Sequence, residues 1–498
     1  MSAFNDLKKR LADVHNLEMA GALLDWDQQT YMPRGGIGAR AESRATISKL
    51  AHDLHTQSET ARLLERAERE SDFAPESDQS AMLRRARRDF DKATKLPAAL
   101  VEETARVTAL AQVEWAHARS EKDFQLFATW LEKILDIQRR TADALGFEDC
   151  RYDALLDQYE EGMTRARLDP IFEELKRETV PLVHAISAND GKVDDAILHR
   201  DYDEISQKTF AENVLRDCGF DWSRGRQDKS VHPFCTNFGQ SDVRITTRYD
   251  SGIASALFGS LHEMGHGLYE QNIAPKFEST PLGGGVSLGV HESQSRLWEN
   301  LVGRSREFWS HYFPQLQSAF PEQLKGENLD GFYRAINRAA PSPIRVEADE
   351  VTYNLHIILR YEIENELLEG RLAVADAPAS WNARMQDYLG IEPTDDAQGI
   401  LQDVHWSLGA LGYFPTYSLG NILSVQLWEK ALEDAPEIPA AIARGDFHLL
   451  LGWLRENVHQ HGRKYPPVEL IQRATGSELR VAPYADYLKS KFGAIYEL

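Results

Sequence analysis

The chain has 498 residues, of which 42% are apolar and 27% charged, a balance typical of folded globular proteins and unlike that of disordered ones. This length predicts two to four domains or one large two-lobed helical body. The formal charge of −22 argues against nucleic acid or an anionic membrane as a partner, and solubility explains the acidity more simply than any substrate does.

The cysteine usage and the lack of long apolar runs indicate the cellular compartment of the protein. Cys150, Cys218 and Cys235 are odd in number and far apart, so they form neither a disulfide framework nor a C-x-x-C site. This usage fits a reducing compartment. The first ten residues are polar, and no run of about 18 apolar residues follows anywhere. We therefore expect a cytoplasmic protein without a membrane span.

Helical periodicity dominates the chain. Residues 4–30 carry an apolar stripe through Leu7, Leu11, Val14 and Leu24, and the helix is expected to end near Pro33. Further helices are predicted at about 38–55, 57–71, 79–95, 98–119, 123–145, 164–188, 204–217, 328–340, 348–369, 377–389, 416–432, 436–444, 446–461, 466–475 and 483–493.

One stretch has strand periodicity instead. Val243 and Ile245 alternate with Arg244 and Thr246, whereas residues 221–230 are predicted to form a loop. A strand here either binds an extended peptide along its edge or forms a structural hairpin. The fold class is thus mainly α, with one small β-sheet beside the helix that follows.

That following helix carries L-H-E-M-G-H-G at 261–267. His262 and His266 are four apart, so both imidazoles lie on one helix face and can take two corners of a tetrahedral zinc site. Glu263 lies beside such a metal, at the position of a general base. The spacing predicts metal-assisted hydrolysis.

A catalytic zinc site needs a third protein ligand and leaves the fourth position open. Glu292, on the next long helix, is the best candidate, and His291 and Glu299 compete with it. Glu299 follows Glu292 by seven positions on the same face, so it is alternatively an outer partner of a ligand. Arg296 stands four positions after Glu292, where some zinc peptidases keep an Asp, and the sequence does not name the outer partners of the ligands.

Two later stretches carry candidate substrate contacts. Arg345 in P-S-P-I-R-V-E-A-D-E can form a bidentate pair with a carboxylate, which is either that of a bound molecule or, as a structural pair, that of Glu347 or Asp349. The segment 399–417 is rich in Gly, His, Trp and Tyr, which is unusual for packing alone. The candidates for oxyanion or substrate contacts in this segment, each alternatively a structural residue, are His405, Tyr413 and Tyr417.

The chain resembles the carboxypeptidase Taq family of thermostable metallocarboxypeptidases over essentially its whole length. The shared motifs occur in family order: H-P-F at 232–234, D-V-R-I-T at 242–246, H-E-M-G-H at 262–266, H-E-S-Q at 291–294, I-R-V-E-A-D at 344–349 and G-I-L-Q-D-V-H-W at 399–406. The stretch D-W-D-Q-Q-T-Y-M-P at 25–33 is also similar to the family.

The resemblance implies an almost all-helical, two-lobed body with a deep groove, similar to neurolysin and angiotensin-converting enzyme, formed by residues 1–498 as one catalytic unit. It implies release of C-terminal amino acids from peptides, with broad specificity and poor cleavage next to proline. It also implies one zinc ion per chain, replaceable by cobalt, and a homodimer.

The resemblance further implies roles for individual residues. His262, His266 and Glu292 match the metal ligands, and Glu263 matches the catalytic position. Arg345 matches the arginine of I-R-x-x-A-D, for which a role in holding the substrate carboxylate is expected. Roles for His405, Tyr413 and Tyr417 rest on analogy to related helical metallopeptidases, and Arg244 of D-V-R-I-T is a further candidate for a substrate contact.

Two other functions remain open from the sequence. The same scaffold can serve a zinc oligopeptidase or endopeptidase, which does not require a free substrate C-terminus. A non-catalytic peptide-binding protein with an inert metal is the second alternative, and Glu263 argues against it because an inert site needs no base.

Overall fold

The computed structural model describes residues 2–498 and confirms the mainly helical prediction. Helix α1 begins after Ser2, whose side chain accepts a hydrogen bond from the backbone of Asn5 and so caps the first turn. The first nine helices are α1 (Ala3–Thr30), α2 (Ile37–Thr56), α3 (Ser58–Glu70), α4 (Asp78–Lys95), α5 (Ala98–Glu121), α6 (Gln125–Leu145), α7 (Arg151–Leu156), α8 (Arg165–Ser187) and α9 (Glu204–Asp217).

The second part of the chain is again helical after one small sheet. Its helices are α10 (Ile253–Gln271), α11 (Leu288–Arg296), α12 (Arg306–Ala319), α13 (Leu329–Ile336), α14 (Tyr353–Leu368), α15 (Ala377–Leu389), α16 (Pro415–Asp434), α17 (Ile438–Ile442), α18 (His448–Asn457), α19 (Pro467–Thr475) and α20 (Ala482–Tyr496). A π-helical segment, Leu297–Val302, continues α11. No helix among residues 2–498 has the length and apolarity needed to cross a membrane.

The sheet has three strands, β1 (Gly225–Lys229), β2 (Cys235–Asn237) and β3 (Val243–Thr247), in the order β1-β3-β2. β3 pairs parallel with β1 and antiparallel with β2. Because β3 is central, both of its edges are already paired, and the idea that β3 adds its edge to an extended peptide is wrong. The prediction of a loop over 221–230 is also wrong, since β1 lies there.

Side chains fix the sheet against α10. The amide of Gln227 on β1 donates to Ser260 Oγ at 2.6 Å, and Thr247 Oγ1 on β3 donates to the carbonyl of Ala256 at 3.1 Å. The side chains of Val243 and Ile245 on β3 are fully buried. The sheet therefore supports the helix that carries H-E-M-G-H.

Two separate apolar cores form. The large core runs through most of the chain, and its centre includes α14, whose side chains, polar as well as apolar, are almost all buried because other elements enclose the helix. A smaller core joins α1, α3 and α4 through Leu7, Leu11, Leu64 and Phe90.

Two of these helices were not predicted from the periodicity of the sequence. Helix α7 is only six residues long, and α12 contains Pro314, which obscures its pattern. Pro170 and Pro181 both lie inside α8, which is nevertheless continuous.

Candidate active site

Three side chains suited to hold a metal meet where α10 packs against α11. The Nε2 atoms of His262 and His266 lie 3.7 and 3.6 Å from Glu292 Oε2. One nitrogen or oxygen atom from each of the three side chains falls within 4.8 Å of the other two. Zinc bonds of about 2.0–2.1 Å place tetrahedral ligand atoms roughly 3.3 Å apart, so the spacing fits a zinc ion with little adjustment.

Close backbone packing brings these side chains together. A methyl group added at Gly265 would lie 2.6 Å from the carbonyl oxygen of Gln294 and 2.7 Å from Ser295 Cα, so only glycine lets α10 approach α11 this closely. Ser287 caps the start of α11, because its side chain accepts a hydrogen bond from the backbone of Val290 at 3.2 Å.

Both histidines are oriented by partners on their other ring nitrogen. His262 Nδ1 lies 2.8 Å from Glu299 Oε2. His266 Nδ1 lies 2.6 Å from His291 Nδ1, and His291 Nε2 lies 2.8 Å from Glu270 Oε1. With Nε2 kept free for a metal, each Nδ1 carries the hydrogen and donates it outward. Glu299 and His291, which the sequence offered as alternative third ligands, thus contact the Nδ1 atoms of His262 and His266, on the side away from the proposed metal.

Arg296 joins the two carboxylates of this site. Its Nε donates to Glu292 Oε1 at 2.7 Å, and its Nη1 donates to Glu299 Oε2 at 3.3 Å. One oxygen of Glu292 therefore faces Arg296 while the other faces the histidines. The cation also lies 4.5 Å from the ring centre of Tyr353.

Glu263 is buried one position after His262, with 6% of its surface exposed. Burial and the negative charges of Glu292 and Glu299 together raise the pKa of Glu263 to about 7, against the opposing effect of His262. A carboxyl group with such a pKa exchanges protons readily near neutral pH, which suits a general base.

Arg345 pairs with neither Glu347 nor Asp349 in the structure. Its Nε and Nη2 donate to Asp403, the latter at 2.7 Å, and its Nη1 donates to Tyr353 Oη at 2.9 Å. Asp403 also accepts from Arg360, at 2.7 Å from Nε. Although burial alone would raise the pKa of Asp403, the guanidinium groups of Arg360 and Arg345 hold it well below its usual range.

The aromatic candidates of segment 399–417 form one cluster next to Arg345. The His405 and Tyr413 ring centres are 5.3 Å apart, those of Tyr413 and Tyr417 are 5.4 Å apart, and the Arg345 guanidinium lies 5.2 Å from the Tyr417 ring. Burial raises the pKa of both tyrosines, and the nearby Glu292 carboxylate adds to the effect. The two tyrosines are therefore close enough to Glu292 to be affected by its charge.

His405 is held in its neutral form. Burial lowers its pKa to about 4, although Asp403 opposes this change. Its Nδ1 atom is buried and has no hydrogen-bond partner within residues 2–498. A buried nitrogen without a partner is uncommon in folded proteins and keeps His405 as a candidate for a functional role.

Arg244 lies on β3, away from this cluster. It forms a bidentate ion pair with Asp242, with both nitrogen–oxygen distances at 2.8 Å. Its guanidinium lies 4.2 Å from the ring centre of Trp26 and 4.8 Å from that of Phe238. These contacts fix the end of α1 to the sheet, and the described contacts of Arg244 include no proposed metal ligand.

Sequence reasoning passed over several residues of the site. Glu270 follows His266 by four positions, so the helical face that revealed the histidines also contained it. Asp403 stands within the quoted motif G-I-L-Q-D-V-H-W. Arg360 gave no signal, because its partner Asp403 lies 43 positions further along the chain.

Comparison with known proteins agrees with this geometry. A profile of the carboxypeptidase Taq (M32) metallopeptidase family matches residues 6–492. The chain is 42% identical to Carboxypeptidase 1 of Bacillus subtilis over 497 residues, which cover 99% of this chain and 98% of the relative. It is 39% identical to Thermostable carboxypeptidase 1 of Thermus thermophilus over 507 residues, which cover 99% of both chains.

A solved structure shares the fold as well as the sequence. The crystal structure of the M32 carboxypeptidase from Deinococcus radiodurans superposes with a TM-score of 0.97 at 43% identity, covering 100% of both chains. The chain belongs to the carboxypeptidase Taq (M32) family and is a metallocarboxypeptidase.

Proposed function

We propose that this metallocarboxypeptidase uses zinc to release C-terminal amino acids from peptides, with broad specificity and poor cleavage next to proline. The observation that carries the proposal is the convergence of His262, His266 and Glu292 beside the buried Glu263. Two imidazoles and one carboxylate are the donor set of catalytic zinc sites, which keep one position open. The same donors accept cobalt, so zinc activity replaceable by cobalt is expected.

A zinc ion bound there would polarise the scissile carbonyl and make water acidic enough to lose a proton near neutral pH. Glu263 accepts the proton of the attacking water and delivers it to the leaving amine. Tyr413, Tyr417 and His405 line the side from which donors can reach the developing oxyanion or the substrate.

Arg345 is proposed to hold the substrate carboxylate. A guanidinium group has five N–H donors, and Asp403 and Tyr353 occupy three of those of Arg345. One hydrogen on each Nη remains, and these two donors are proposed to bind the substrate carboxylate. Asp403 therefore orients Arg345 and still leaves it able to bind. Arg244 is kept as a second candidate, although its described contacts are structural.

A peptide series with free and amidated C-termini tests this proposal. Amidation should lower kcat/KM by at least about 100-fold, because a buried cation loses its charged partner. Equal cleavage of both forms would favour an oligopeptidase or endopeptidase. Zinc binding without cleavage of either form would favour the non-catalytic peptide-binding protein, which has no use for Glu263.

We further propose that the chain is one catalytic unit of two helical lobes beside a groove. Two observations support this: the separate small core of α1, α3 and α4, and a cavity of about 530 Å³ between α1 and residues 280–288 that reaches His291.

The protein is proposed to form a homodimer and to reside in the cytoplasm. All three cysteines are free, which fits a reducing compartment, and the dimer rests on the family resemblance. Light scattering after size exclusion would give about twice the chain mass for a dimer.

A further inference from the structure

We infer that Glu364 is a positioning residue for the reaction, one that fixes both ends of the segment 405–413 so that His405 and Tyr413 stay aimed at the substrate. This inference rests on the proposed roles of those two residues. Glu364 lies on α14, is fully buried, and has no part in the chemistry proposed above.

The carboxylate of Glu364 accepts three hydrogen bonds. Oε1 accepts from Trp406 Nε1 at 2.8 Å, whereas Oε2 accepts from the backbone N–H of Gly412 at 3.0 Å and from Tyr152 Oη at 2.8 Å. Trp406 follows His405 in the chain, and Gly412 precedes Tyr413. One carboxylate therefore holds the two neighbours of the two proposed functional side chains.

Neighbouring contacts make the segment depend on this anchor. Gly412 has a φ of +85°, and a methyl group there would lie 2.9 Å from the backbone of Leu155 and Leu156, so the turn rests directly on α7. One helical turn before Glu364, Arg360 binds Asp403. Helix α14 thus holds Asp403, just before the segment, through Arg360, and it holds both ends of the segment through Glu364.

The chemistry of the partners dictates the test. The N–H groups of Trp406 and Gly412 can only donate, and they point at different oxygens. Glu364→Gln therefore places an amide NH₂ against one of two donors, and one end of the segment must move. A displacement of this kind costs roughly 10- to 100-fold in rate. We expect that loss in kcat, with little change in KM and with one zinc still bound per chain.

Glu362→Gln is the matched control on the same helix. Glu362 also accepts three hydrogen bonds, from Lys176 and Arg384 at 2.8 Å and from Tyr388 at 2.6 Å, but these partners are outside the site. Both variants should lower the melting temperature, and only Glu364→Gln should lower kcat well below that temperature. Equal kcat values in the two variants, with His405→Ala and Tyr413→Phe inactive, would overturn the positioning role.

A second substitution gives a rescue that general destabilisation cannot produce. Trp406→Phe removes the indole N–H, so the Gln amide can turn its NH₂ to that side and keep its oxygen for Gly412 and Tyr152. The double variant should recover several-fold of the kcat lost in Glu364→Gln alone. Additive losses would contradict the inference.

Two further results are decisive. If His405→Ala and Tyr413→Phe both keep full activity, the proposed roles of the segment fail and this inference fails with them, while the zinc chemistry stands. If Glu364→Gln does not fold, Trp406→Phe alone removes the Oε1 contact and should still lower kcat several-fold. An unchanged kcat in that variant would overturn the inference.

Discussion

Gly420 lies directly against Glu292. A methyl group at Gly420 would be 2.5 Å from Glu292 Cβ and 2.6 Å from its Cγ, so α16 touches the stem of the proposed third ligand. These distances are too short for carbon atoms that are not bonded to each other, so no residue larger than glycine fits at position 420. The position of the Glu292 carboxylate is therefore set by helix packing from one side and by Arg296 from the other.

Gly420→Ala should weaken zinc binding by about 10-fold or more, because Glu292 must swing away from the two histidines. Chelator competition would give the zinc dissociation constant directly, and the activity at limiting zinc should fall in parallel.

Gly452→Ala is the control for this change. Gly452 also lies within a helix, α18, with no atom within 4 Å of an added methyl group. Alanine there should stabilise the protein by about 0.5–1 kcal/mol through helix propensity and leave zinc affinity unchanged. Equal zinc affinity in Gly420→Ala and Gly452→Ala would show that α16 does not position Glu292.

Glu299→Gln should lower zinc affinity about 10- to 100-fold, the usual cost of losing the outer partner of a ligand histidine. In the parent, His262 and Arg296 contact one oxygen of Glu299 and Arg304 contacts the other. A glutamine has only one oxygen there, so its NH₂ group would face a donor on the other side. Isothermal titration with zinc measures the effect. Glu307→Gln, an exposed change on α12, serves as the control and should bind zinc normally.

Glu263→Gln should retain zinc and lose hydrolysis by roughly 10²- to 10⁴-fold, the contribution of a general base. Metal analysis of the purified variant and cleavage of a blocked dipeptide would be measured on the same sample. Full activity with full zinc content would rule out Glu263 as the base.

Asp403→Asn should destabilise the protein at neutral pH by about 3–5 kcal/mol, because it leaves the buried cations Arg345 and Arg360 without their anion. The pKa of Asp403 is lowered by folding, so its stabilising effect is present above its unfolded value near 4 and is lost as pH falls below that value. The melting-temperature difference between the parent and the variant should shrink below about pH 4.

Asp330→Asn is the matched control for that pH dependence. Asp330 pairs with Arg306 at 2.5 Å, but both side chains are at least half exposed. Its loss should have little effect at any pH. A constant melting-temperature difference for Asp403→Asn from pH 7 to pH 3 would contradict the role assigned to its charge.

The sequence predicted most of the helices and the histidine pair, because these depend only on the spacing of residues close together in the chain. The helical repeat placed α1 within one residue of its start, and the four-residue spacing placed His262 and His266 on one face. Strand β1 escaped because G-R-Q-D-K is polar and forms only by pairing with β3. Tertiary contact, rather than propensity, decides that segment.

Long-range partners could not be predicted in the same way. Arg345 and Asp403 are 58 positions apart, so local spacing offered Glu347 and Asp349 instead. Glu299 had two interpretations from the sequence, and the orientation of the His262 ring is what identifies it as an outer partner. Partner choice among several nearby carboxylates depends on how helices cross, which one sequence does not specify.

The two separate cores have an evolutionary consequence. Leu7, Leu64 and Phe90 stabilise the N-terminal helices among themselves, whereas the proposed ligands and their partners belong to elements of the large core. Mutations in the small core can reshape the wall near His291 without reaching the groups proposed for catalysis. The lining of this cavity and the groups proposed for catalysis can thus diversify at different rates within one chain.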